Sequence, residues 1–448
     1  MKVEILSREL IKPCSATPPS FRKYNISLID EFSPNMNVPT IFYYSATDQD
    51  TTLSVPIMSY KHLKNSLSKV LSSFHPFAGR YNKETHSVDC SDQGAEFVEA
   101  KVDVQLDDLL SQRKNLKVEV LNDLLPCPLG AVDEYTDPLL AVQVSAFSCG
   151  GFAIAVCSSH RIADMTTTIS VVKAWAIATK MELGYVVDND VPNSWNFDSA
   201  LLFPGQNLPS LPSGISRDKE NIEVHKVVTK MFYFSESKIL SIRERAKVDK
   251  LSKILPTRVQ SVFGIIGKAI IDVHVANPEN PKGYAVVQAV NMRERTVPPL
   301  KNQFGNLYLA AYAQSVVGSE GVELPYFVDC LSSSVKSAID NCSVVLSLQK
   351  EGKPSLSQEL RELLKSLANP EIYFAGTFSS WCKFPLYEAD FGWGKPAWVS
   401  NANIPMKNLV ILVDEKSGGG IEAWVNLKES DMKEFIKHNE IKDIIDCN

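Results

Sequence analysis

The sequence lacks any long apolar run. Its longest apolar-rich stretches, Phe152 to Cys157 and Leu409 to Val413, are far shorter than the roughly 18 residues that a membrane-spanning helix needs. The segment Met1 to Glu9 carries charges throughout and lacks the apolar core and small-residue cleavage site of a signal peptide. We therefore expect no membrane span and no secretion, which predicts a cytoplasmic protein.

An excess of basic charge is also missing. The chain has 46 Lys and Arg against 52 Asp and Glu, a net charge of -6. Proteins that bind nucleic acid or anionic membranes present a basic surface. We therefore expect neither nucleic acid nor a membrane as a partner.

The motifs of several common enzyme and metal-site classes are absent. The nine cysteines form no C-x-x-C pair, so neither a disulfide framework nor a structural zinc site is indicated. The chain has no histidine and carboxylate cluster at ligand spacing, no P-loop and no G-x-S-x-G elbow. We expect no metal, and the metallohydrolase, nucleotide-hydrolase and α/β-hydrolase classes lack support.

The length of the chain and the positions of its Pro and Gly residues indicate two domains. It has 448 residues, of which 44% are hydrophobic, enough for two or three domains. The stretch Pro192 to Ile215 is rich in Pro and Gly and shows no periodicity, which is typical of a linker. The predicted domains are 1–195 and 216–448, with 196–215 as the linker.

Both predicted domains mix strands and helices. Apolar residues recur at helical spacing in some segments and form alternating or continuous β-rich runs in others. The predicted helices are 58–71, 166–183, 258–275 and 325–345, and the predicted β-rich runs are 39–44, 141–157, 284–290, 409–413 and 421–426. The last two runs flank Lys416 to Gly420, a predicted hairpin turn. The fold class is therefore α/β.

One histidine stands where a buried strand gives way to a helix. The small, apolar run Gly150 to Cys157 is typical of a strand buried on both faces, and His160 follows it closely. Asp164 or a following threonine can cap the next helix and fix the backbone at His160. A neutral imidazole suits a general base, but a packed loop histidine has the same spacing, because H-x-x-x-D occurs often by chance.

Two further motifs decide between these interpretations. They are Asp390-Phe391-Gly392-Trp393-Gly394-Lys395-Pro396 and Ala289-Val290-Asn291-Met292-Arg293. With His160 and Asp164 they resemble the pattern of the plant BAHD acyltransferases. The resemblance also covers Ile11-Lys12-Pro13, Ser27-Leu28-Ile29-Asp30 and Pro76-Phe77-Ala78-Gly79-Arg80, and it looks nearest to the vinorine synthase-like alkaloid O-acetyltransferases.

The resemblance implies a fold and an activity. The fold would be two chloramphenicol-acetyltransferase-like α/β domains with a ligand channel at their interface, and a segment near 373–402 would cross back to the first domain. The activity would be transfer of an acyl group from acyl-CoA, here most simply acetyl-CoA, to a small-molecule alcohol. His160 would deprotonate the alcohol, no covalent acyl-enzyme would form, and the enzyme would be monomeric.

The resemblance also assigns supporting roles. Asp164 could orient His160 as a triad member would, or it could hold the loop by an ion pair. The family favours an ion pair with Arg293 of the Asn291-Met292-Arg293 motif. Asp390, Gly392 and Gly394 would maintain the fold away from the active site, where the glycines allow tight turns.

Coenzyme A carries phosphates that call for Lys, Arg or helix N-terminal amides. Three candidates lie at or just before the start of the predicted helix 258–275, although they could equally be solvated charges at a helix start: Lys253, Thr257 and Arg258. Three others match a family segment that lines the channel, where an oxyanion needs a hydrogen-bond donor: Ser379, Ser380 and Trp381.

Several alternatives stay open at this point. Another acyl group, such as malonyl or an aromatic acyl, could be transferred to a terpenoid or phenolic alcohol. A non-catalytic paralogue that binds ligand is opposed by the presence of both His160 and Asp164, and supported only by Met165, where the family usually has glycine. A kinase is excluded, because Asp390-Phe391-Gly392 is not accompanied by a Gly-rich phosphate loop.

Overall fold

The structure is a computed structural model of the chain. It describes residues 1–46, 59–130, 134–186, 195–206, 226–247, 255–277, 279–280, 283–316, 321–351, 355–367 and 369–445.

The chain divides into two compact units, each assembled from more than one segment. The first unit comprises Met1–Arg217, Asn302–Asn306 and Phe384–Asn403. The second comprises Asp218–Lys301, Leu307–Lys383 and Ile404–Asn448. Two segments distant in sequence therefore belong to the N-terminal unit. The described part of the predicted linker, 196–206, also belongs to it, whereas 207–215 lies outside the described residues. The domain boundaries at 195 and 216 stay a prediction.

The strands of the described chain are β1 Val3–Ile11, β2 Lys23–Asn25, β3 Asn37–Tyr44, β4 Arg80–Asn82, β5 Ser87–Asp89, β6 Ala95–Val102, β7 Leu140–Phe147, β8 Phe152–Ser159, β9 Val227–Phe234, β10 Gly283–Asn291, β11 Tyr308–Val316, β12 Ile372–Ser380, β13 Trp398–Ser400, β14 Leu409–Asp414 and β15 Ile421–Lys428.

The α-helices are α1 Leu28–Phe32, α2 Tyr60–Ser73, α3 Leu106–Ser111, α4 Met165–Glu182, α5 Ser199–Leu202, α6 Glu236–Arg245, α7 Arg258–Val275, α8 Leu324–Lys350, α9 Ser355–Leu367, α10 Glu429–Phe435 and α11 Asn439–Ile445. Within the described residues, no helix combines the length and the apolar character needed to cross a membrane.

The first unit is built on a six-stranded sheet in the order β1-β6-β7-β8-β3-β13, beside a three-stranded sheet in the order β2-β5-β4. In the large sheet only β6 and β7 run parallel; the other neighbouring pairs are antiparallel. Helices α2 and α4 pack together, and the buried Trp175 indole of α4 donates a 2.9 Å hydrogen bond to the Leu63 carbonyl of α2.

Strand β8 is buried along its whole length, as its small apolar sequence predicts. It pairs with β7 on one side and β3 on the other. Strands β7 and β8 divide the predicted β-rich run 141–157 into a hairpin. Because β8 is central in the sheet and covered on both faces, the backbone at its exit is closely fixed.

The second unit is built on a six-stranded sheet in the order β11-β10-β12-β14-β15-β9. Strands β10, β12 and β14 are parallel to one another, and β14 and β15 form the antiparallel hairpin that the sequence predicts. Helix α7 has the predicted bounds, whereas α8 extends beyond the predicted segment 325–345 at both ends. The core of this unit lies between α7, α8 and the sheet.

We expect the close approach of α7 and α8 to require glycine at position 267. A Cβ there would lie 2.5 Å from Phe327 Cε1 and 3.2 Å from Phe378 Cε2, both in buried rings. Overpacking costs about 1–3 kcal/mol, against a helix-propensity gain of about 1 kcal/mol. Gly267→Ala should therefore lower the free energy of unfolding in urea, whereas Gln358→Ala, at an exposed position of α9, should change it little. Equal stability of Gly267→Ala and wild type would contradict this packing argument.

Candidate active site

His160 lies on the turn that joins β8 to α4. Its backbone N–H donates a 2.8 Å hydrogen bond to the Met36 carbonyl. Asp164 is the N-cap of α4, and its carboxylate accepts a 2.9 Å hydrogen bond from the Thr167 N–H. The predicted cap is confirmed. Both ends of the turn are therefore anchored, one by a buried strand and the other by a capped helix.

The His160 ring is held by an asparagine from a distant segment of the same unit. Nδ1 of His160 lies 3.0 Å from Oδ1 of Asn306. The Asn306 Nδ2 donates to Oδ1 of Asp30 and to the carbonyl of His160, each at 2.8 Å. Both of these oxygens can only accept, so the amide nitrogen must face them and the amide oxygen must face the ring.

This arrangement fixes the tautomer of His160. Because Asn306 Oδ1 accepts, Nδ1 must carry the proton in the neutral ring. Nε2 is then the ring nitrogen that carries the lone pair, and so the atom that can take a proton. Burial lowers the pKa of His160 below its ordinary value; a hydrogen bond to its own backbone, the Asp164 charge and the Asn306 hydrogen bond oppose the shift. His160 is half-buried as a residue, and its lowered pKa favours the neutral ring near neutral pH.

The segment that carries Asn306 is fastened by backbone and side-chain hydrogen bonds. Asn196 bonds through its backbone to Asn302 and Phe304, at 3.0 and 2.9 Å. Gln303 Nε2 donates to Asp198 at 2.8 Å, and Thr167 Oγ1 donates to the Gly305 carbonyl at 2.9 Å. These contacts hold residues 302–306 against the turn of His160.

Packing around Phe304 and Gly305 completes this attachment. The Phe304 ring makes edge or tilted contacts with Tyr24, Phe77 and Phe197, at centroid distances of 5.1–5.4 Å. Gly305 has φ of +109°, and a Cβ there would lie 2.8 Å from the Tyr24 hydroxyl. Glycine is thus required both by the backbone conformation and by the close approach of Tyr24.

Asp30 is fully buried in the first turn of α1, and its carboxyl oxygens accept hydrogen bonds from several neighbouring groups. Oδ2 accepts from the Ser27 N–H at 2.8 Å and from the Ser27 hydroxyl at 2.9 Å, and Tyr24 donates at 3.4 Å. Oδ1 accepts from both the backbone and side-chain nitrogens of Asn306 at 2.8 Å. Burial raises the pKa of Asp30, and the hydrogen bonds from Ser27 and Asn306 oppose that rise.

The sequence predicts no role for either Asp30 or Asn306. Ser27-Leu28-Ile29-Asp30 appeared only as part of the family resemblance, although serine followed three residues later by a carboxylate is typical of a capping box. The structure shows that box, with both reciprocal bonds. Asn306 gave no signal, because its partners lie 276 and 146 residues away in the chain.

The motif around Asp390 is organised by its own backbone. Oδ1 of Asp390 accepts from the N–H groups of Gly392 and Gly394 at 2.8 and 3.0 Å, and Oδ2 binds Lys180 of α4 at 3.0 Å. Both glycines have positive φ, +104° and +92°. Lys180 is near the C-terminal end of α4, roughly 20–25 Å along the helix from Asp164 at a rise of about 1.5 Å per residue. These contacts favour the structural role implied for Asp390, Gly392 and Gly394.

The motif at Asn291 forms a tight turn after β10 in the second unit. Asn291 Oδ1 accepts a 3.0 Å hydrogen bond from the Arg293 N–H, and the Arg295 guanidinium donates to the Asn291 carbonyl at 2.6 Å. Arg293 is only 2% exposed, and a buried guanidinium requires hydrogen-bonding or charged partners. The ion pair of Arg293 with Asp164 stays a prediction.

The candidates for coenzyme A binding near α7 have structural contacts. Thr257 forms a capping box with Gln260. The Arg258 guanidinium binds Asp414 at 2.9 Å and the carbonyls of Gly418 and Gly419 at 2.8 and 3.0 Å. Asp414 already balances the charge of Arg258. These contacts favour a structural role, in which Arg258 holds the turn between β14 and β15, over a role in binding a phosphate. Lys253 lies outside the described residues.

The other three candidates lie at the end of β12. Ser379 and Ser380 pair with Ile411 and Leu412 of β14, and both serines are half-buried. The Trp381 N–H donates a 2.7 Å hydrogen bond to the Leu412 carbonyl, and its side chain is buried. The hydroxyl groups of Ser379 and Ser380 can donate hydrogen bonds, as an oxyanion on a thioester substrate would require. The role of these residues in binding the donor stays a prediction. Among the described residues, no group of three or more His, Cys, Asp and Glu could hold a metal ion.

Met165, the departure from the family pattern, is the buried first residue of α4. A helical backbone at this position does not require glycine. The side chain therefore does not strain the turn that carries His160.

A model of the Transferase family matches residues 1–442. The chain belongs to this family, the BAHD acyltransferases. The match covers both compact units and all the motifs from Ile11 to Pro396. The resemblance inferred from the motifs is confirmed, and the chain is an O-acyltransferase that uses an acyl-CoA donor and a small-molecule acceptor.

Three curated relatives are each 35% identical to the chain. Epi-neemfruitin B synthase of Melia azedarach aligns over 97% of this chain and 96% of its own length. Stemmadenine O-acetyltransferase of Catharanthus roseus and vinorine synthase of Rauvolfia serpentina each align over 96% of this chain and 95% of their own. The likeness therefore extends over nearly the whole chain.

Solved structures agree with the fold class. The crystal structure of vinorine synthase matches with a TM-score of 0.80 at 33% identity, over 99% of this chain and 98% of that one. F. sporotrichioides TRI101, solved with coenzyme A and T-2, matches with a TM-score of 0.70 at 18% identity, over 94% and 98% of the two chains. The predicted chloramphenicol-acetyltransferase-like α/β fold is confirmed.

We expect Gly392→Ala to destabilise the first unit. The substitution places a side chain at φ of +104° and a Cβ 2.7 Å from Leu183 Cδ1, and strain of this kind costs about 1–3 kcal/mol. Lys395→Ala is the matched control in the same loop, because its exposed ion pair with Glu388 contributes at most about 1 kcal/mol. Urea unfolding curves that shift equally for both variants would contradict the structural role of this motif.

Proposed function

We propose that the enzyme acetylates a hydroxyl group of a plant alkaloid with acetyl-CoA, and that His160 is the general base. The observation that carries the mechanism is the hydrogen bond from His160 Nδ1 to Asn306, which leaves Nε2 as the basic atom. The name of one relative supports the reaction class: stemmadenine O-acetyltransferase is 35% identical to this chain.

The proposed role of His160 follows from the charge that each step creates. Nε2 accepts the proton of the acceptor hydroxyl as the oxygen attacks the thioester carbonyl, and His160 becomes an imidazolium. Asn306 keeps Nδ1 as the proton-bearing atom, and the negative charge of Asp164 favours the imidazolium. The imidazolium then returns its proton to the departing thiolate. No covalent acyl-enzyme is required. The proposed reaction uses no metal, and the proposed enzyme is a monomer.

The acyl group and the acceptor class are the parts of the proposal that the site residues do not determine. His160 would deprotonate an alkaloid, terpenoid or phenolic alcohol in the same way. Transfer of malonyl or an aromatic acyl group is therefore the alternative within the same chemistry. Rates with different thioesters and alcohols distinguish these alternatives.

Coenzyme A release from a panel of thioesters and alcohols tests the reaction and the base together. Acetyl-CoA with alkaloid alcohols should give the highest rate, and His160→Gln should lower kcat by about 10²- to 10⁴-fold while the fold is retained. His62→Gln, a half-buried histidine of α2, is the matched control and should keep near wild-type activity. An unimpaired His160→Gln enzyme would eliminate His160 as the base. A preference for another thioester would show that acetyl-CoA is not the donor.

The dependence of kcat/KM on pH provides an independent test of His160. Only the neutral ring can accept a proton, so activity should rise with pH as His160 loses its proton. Because burial lowers the pKa of His160, the midpoint of this rise should lie below about 6.5, the value of an unperturbed histidine. A midpoint above 7 would contradict a buried, neutral base.

A further inference from the structure

Asp30 is connected to the His160 ring through one side chain, that of Asn306. Asp30 Oδ1 and the His160 carbonyl accept from Asn306 Nδ2, and Asn306 Oδ1 accepts from His160 Nδ1. Asp30 and Asn306 are both fully buried. The three residues come from separate segments of the first unit, at α1, at the turn after β8 and at residues 302–306.

We propose that Asn306 and Asp30 are positioning residues that set the tautomer and the basicity of His160. Asn306 holds the proton on Nδ1. Asp30 fixes the direction of the Asn306 amide, and its charge stabilises the imidazolium that forms during acyl transfer. This inference rests on the proposed role of His160 as the general base.

The direction of the Asn306 amide is determined by Asp30 and the His160 carbonyl together. If the amide were turned over, its oxygen would face Asp30 Oδ1 and the His160 carbonyl, and its nitrogen would face His160 Nδ1. Two acceptor pairs would then lie at about 2.8 Å without a proton between them. Buried polar groups that lose their partners are costly, so the reversed amide is excluded. If His160 carried its proton on Nε2 instead, Nδ1 and Asn306 Oδ1 would be two acceptors facing each other.

The ionised form of Asp30 fits its surroundings. All five hydrogen bonds to its oxygens come from donors: the N–H and hydroxyl of Ser27, the hydroxyl of Tyr24, and the N–H and side chain of Asn306. Three of these donors are N–H groups, which cannot accept a proton in return, so they favour the ionised form and oppose the burial that raises the pKa of Asp30. In the proposal Asp30 is ionised, and in this buried position its charge acts on a nearby imidazolium with little screening by water.

The carboxylate of Asp164 also affects His160, but it has a structural role at the start of α4. Its Oδ1 accepts from the Thr167 N–H as the N-cap of α4. Its charge also favours the imidazolium. The cation nearest in sequence, Arg161, is buried with its guanidinium 5.0 Å from the centre of the Tyr81 ring. Beside the hydrogen bond of His160 to its own backbone, the Asn306 amide gives Nδ1 a side-chain acceptor, and Asp30 in turn accepts from that amide.

Asp30→Asn and Asn306→Leu test the proposal by their pH profiles. Asp30→Asn should lower kcat by about 10- to 100-fold and move the rise of kcat/KM to lower pH by about 0.5–1 unit, because His160 loses a stabilising charge and becomes a weaker base. Asn306→Leu should lower kcat by about 10²- to 10³-fold, since the tautomer is no longer fixed. KM for both substrates should change by less than about 3-fold in each variant, because neither residue is proposed to touch a substrate.

Asp198→Asn is the matched control. Asp198 accepts from Gln303 and so fastens the same segment, 302–306, but it is exposed, and solvent screens its charge. This variant should keep kcat within about 2-fold and leave the pH profile unmoved. If it reproduces the losses of Asp30→Asn, the network only anchors the segment and the proposal is overturned. An Asp30→Asn enzyme with unchanged kcat and pH profile would overturn it equally.

Imidazole NMR of ¹⁵N-histidine-labelled protein decides the tautomer without any turnover. His160, assigned by comparison with His160→Gln, should show a protonated Nδ1 and an unprotonated Nε2 in the wild type, and the Asp30→Asn variant should show a lower His160 pKa. A protonated Nε2 in the wild type would overturn the proposal. If the wild type turns over no thioester while NMR shows the expected tautomer, the proposed function has failed and the positioning of His160 stands.

Discussion

The hydrogen bond between Asn306 and His160 is the interaction on which the chemistry of this structure depends. It decides which ring nitrogen of His160 carries the proton, and it does so with an amide whose own direction is fixed by Asp30 and by the His160 carbonyl. A histidine on a turn can otherwise adopt either tautomer, because the two neutral forms have similar energies in water. Three short contacts of 2.8–3.0 Å thus convert a common residue into a base with one defined basic atom.

The fold supplies the rigidity that these contacts need. Strand β8 is buried on both faces and ends one residue before His160, and α4 begins five residues after it with Asp164 as its cap. From the other side, Phe304 is packed among aromatic rings and Gly305 passes too close to Tyr24 to carry a side chain. Neither partner of the hydrogen bond can therefore move far without disturbing buried packing. A hydrogen bond that determines a proton position requires this kind of support on both sides.

The sequence predicted those features that are encoded locally. The continuous apolar run of β8, the helical spacing of α4 and α7 and the turn residues between β14 and β15 each identify an element from its own residues. Asp164 or a following threonine was predicted as the cap of α4 for the same reason, and the cap is Asp164. Asn306 and Asp30 were missed as site residues because their roles arise from contacts across 146 and 276 positions, which no periodicity reveals. Arg258 likewise has a partner, Asp414, that its own helix does not indicate.

The burial of Asp30 is difficult to explain by stability alone. A carboxylate removed from water loses several kcal/mol of hydration, and an apolar residue of similar size at such a site is often equally or more stabilising. The capping box with Ser27 would serve α1, which spans only Leu28–Phe32, just as well on an exposed surface. What an exposed cap could not provide is a charge next to Asn306 in a medium of low polarity, where its effect on an imidazolium is large. The position of Asp30 therefore makes physical sense as part of the environment that His160 needs when it accepts a proton.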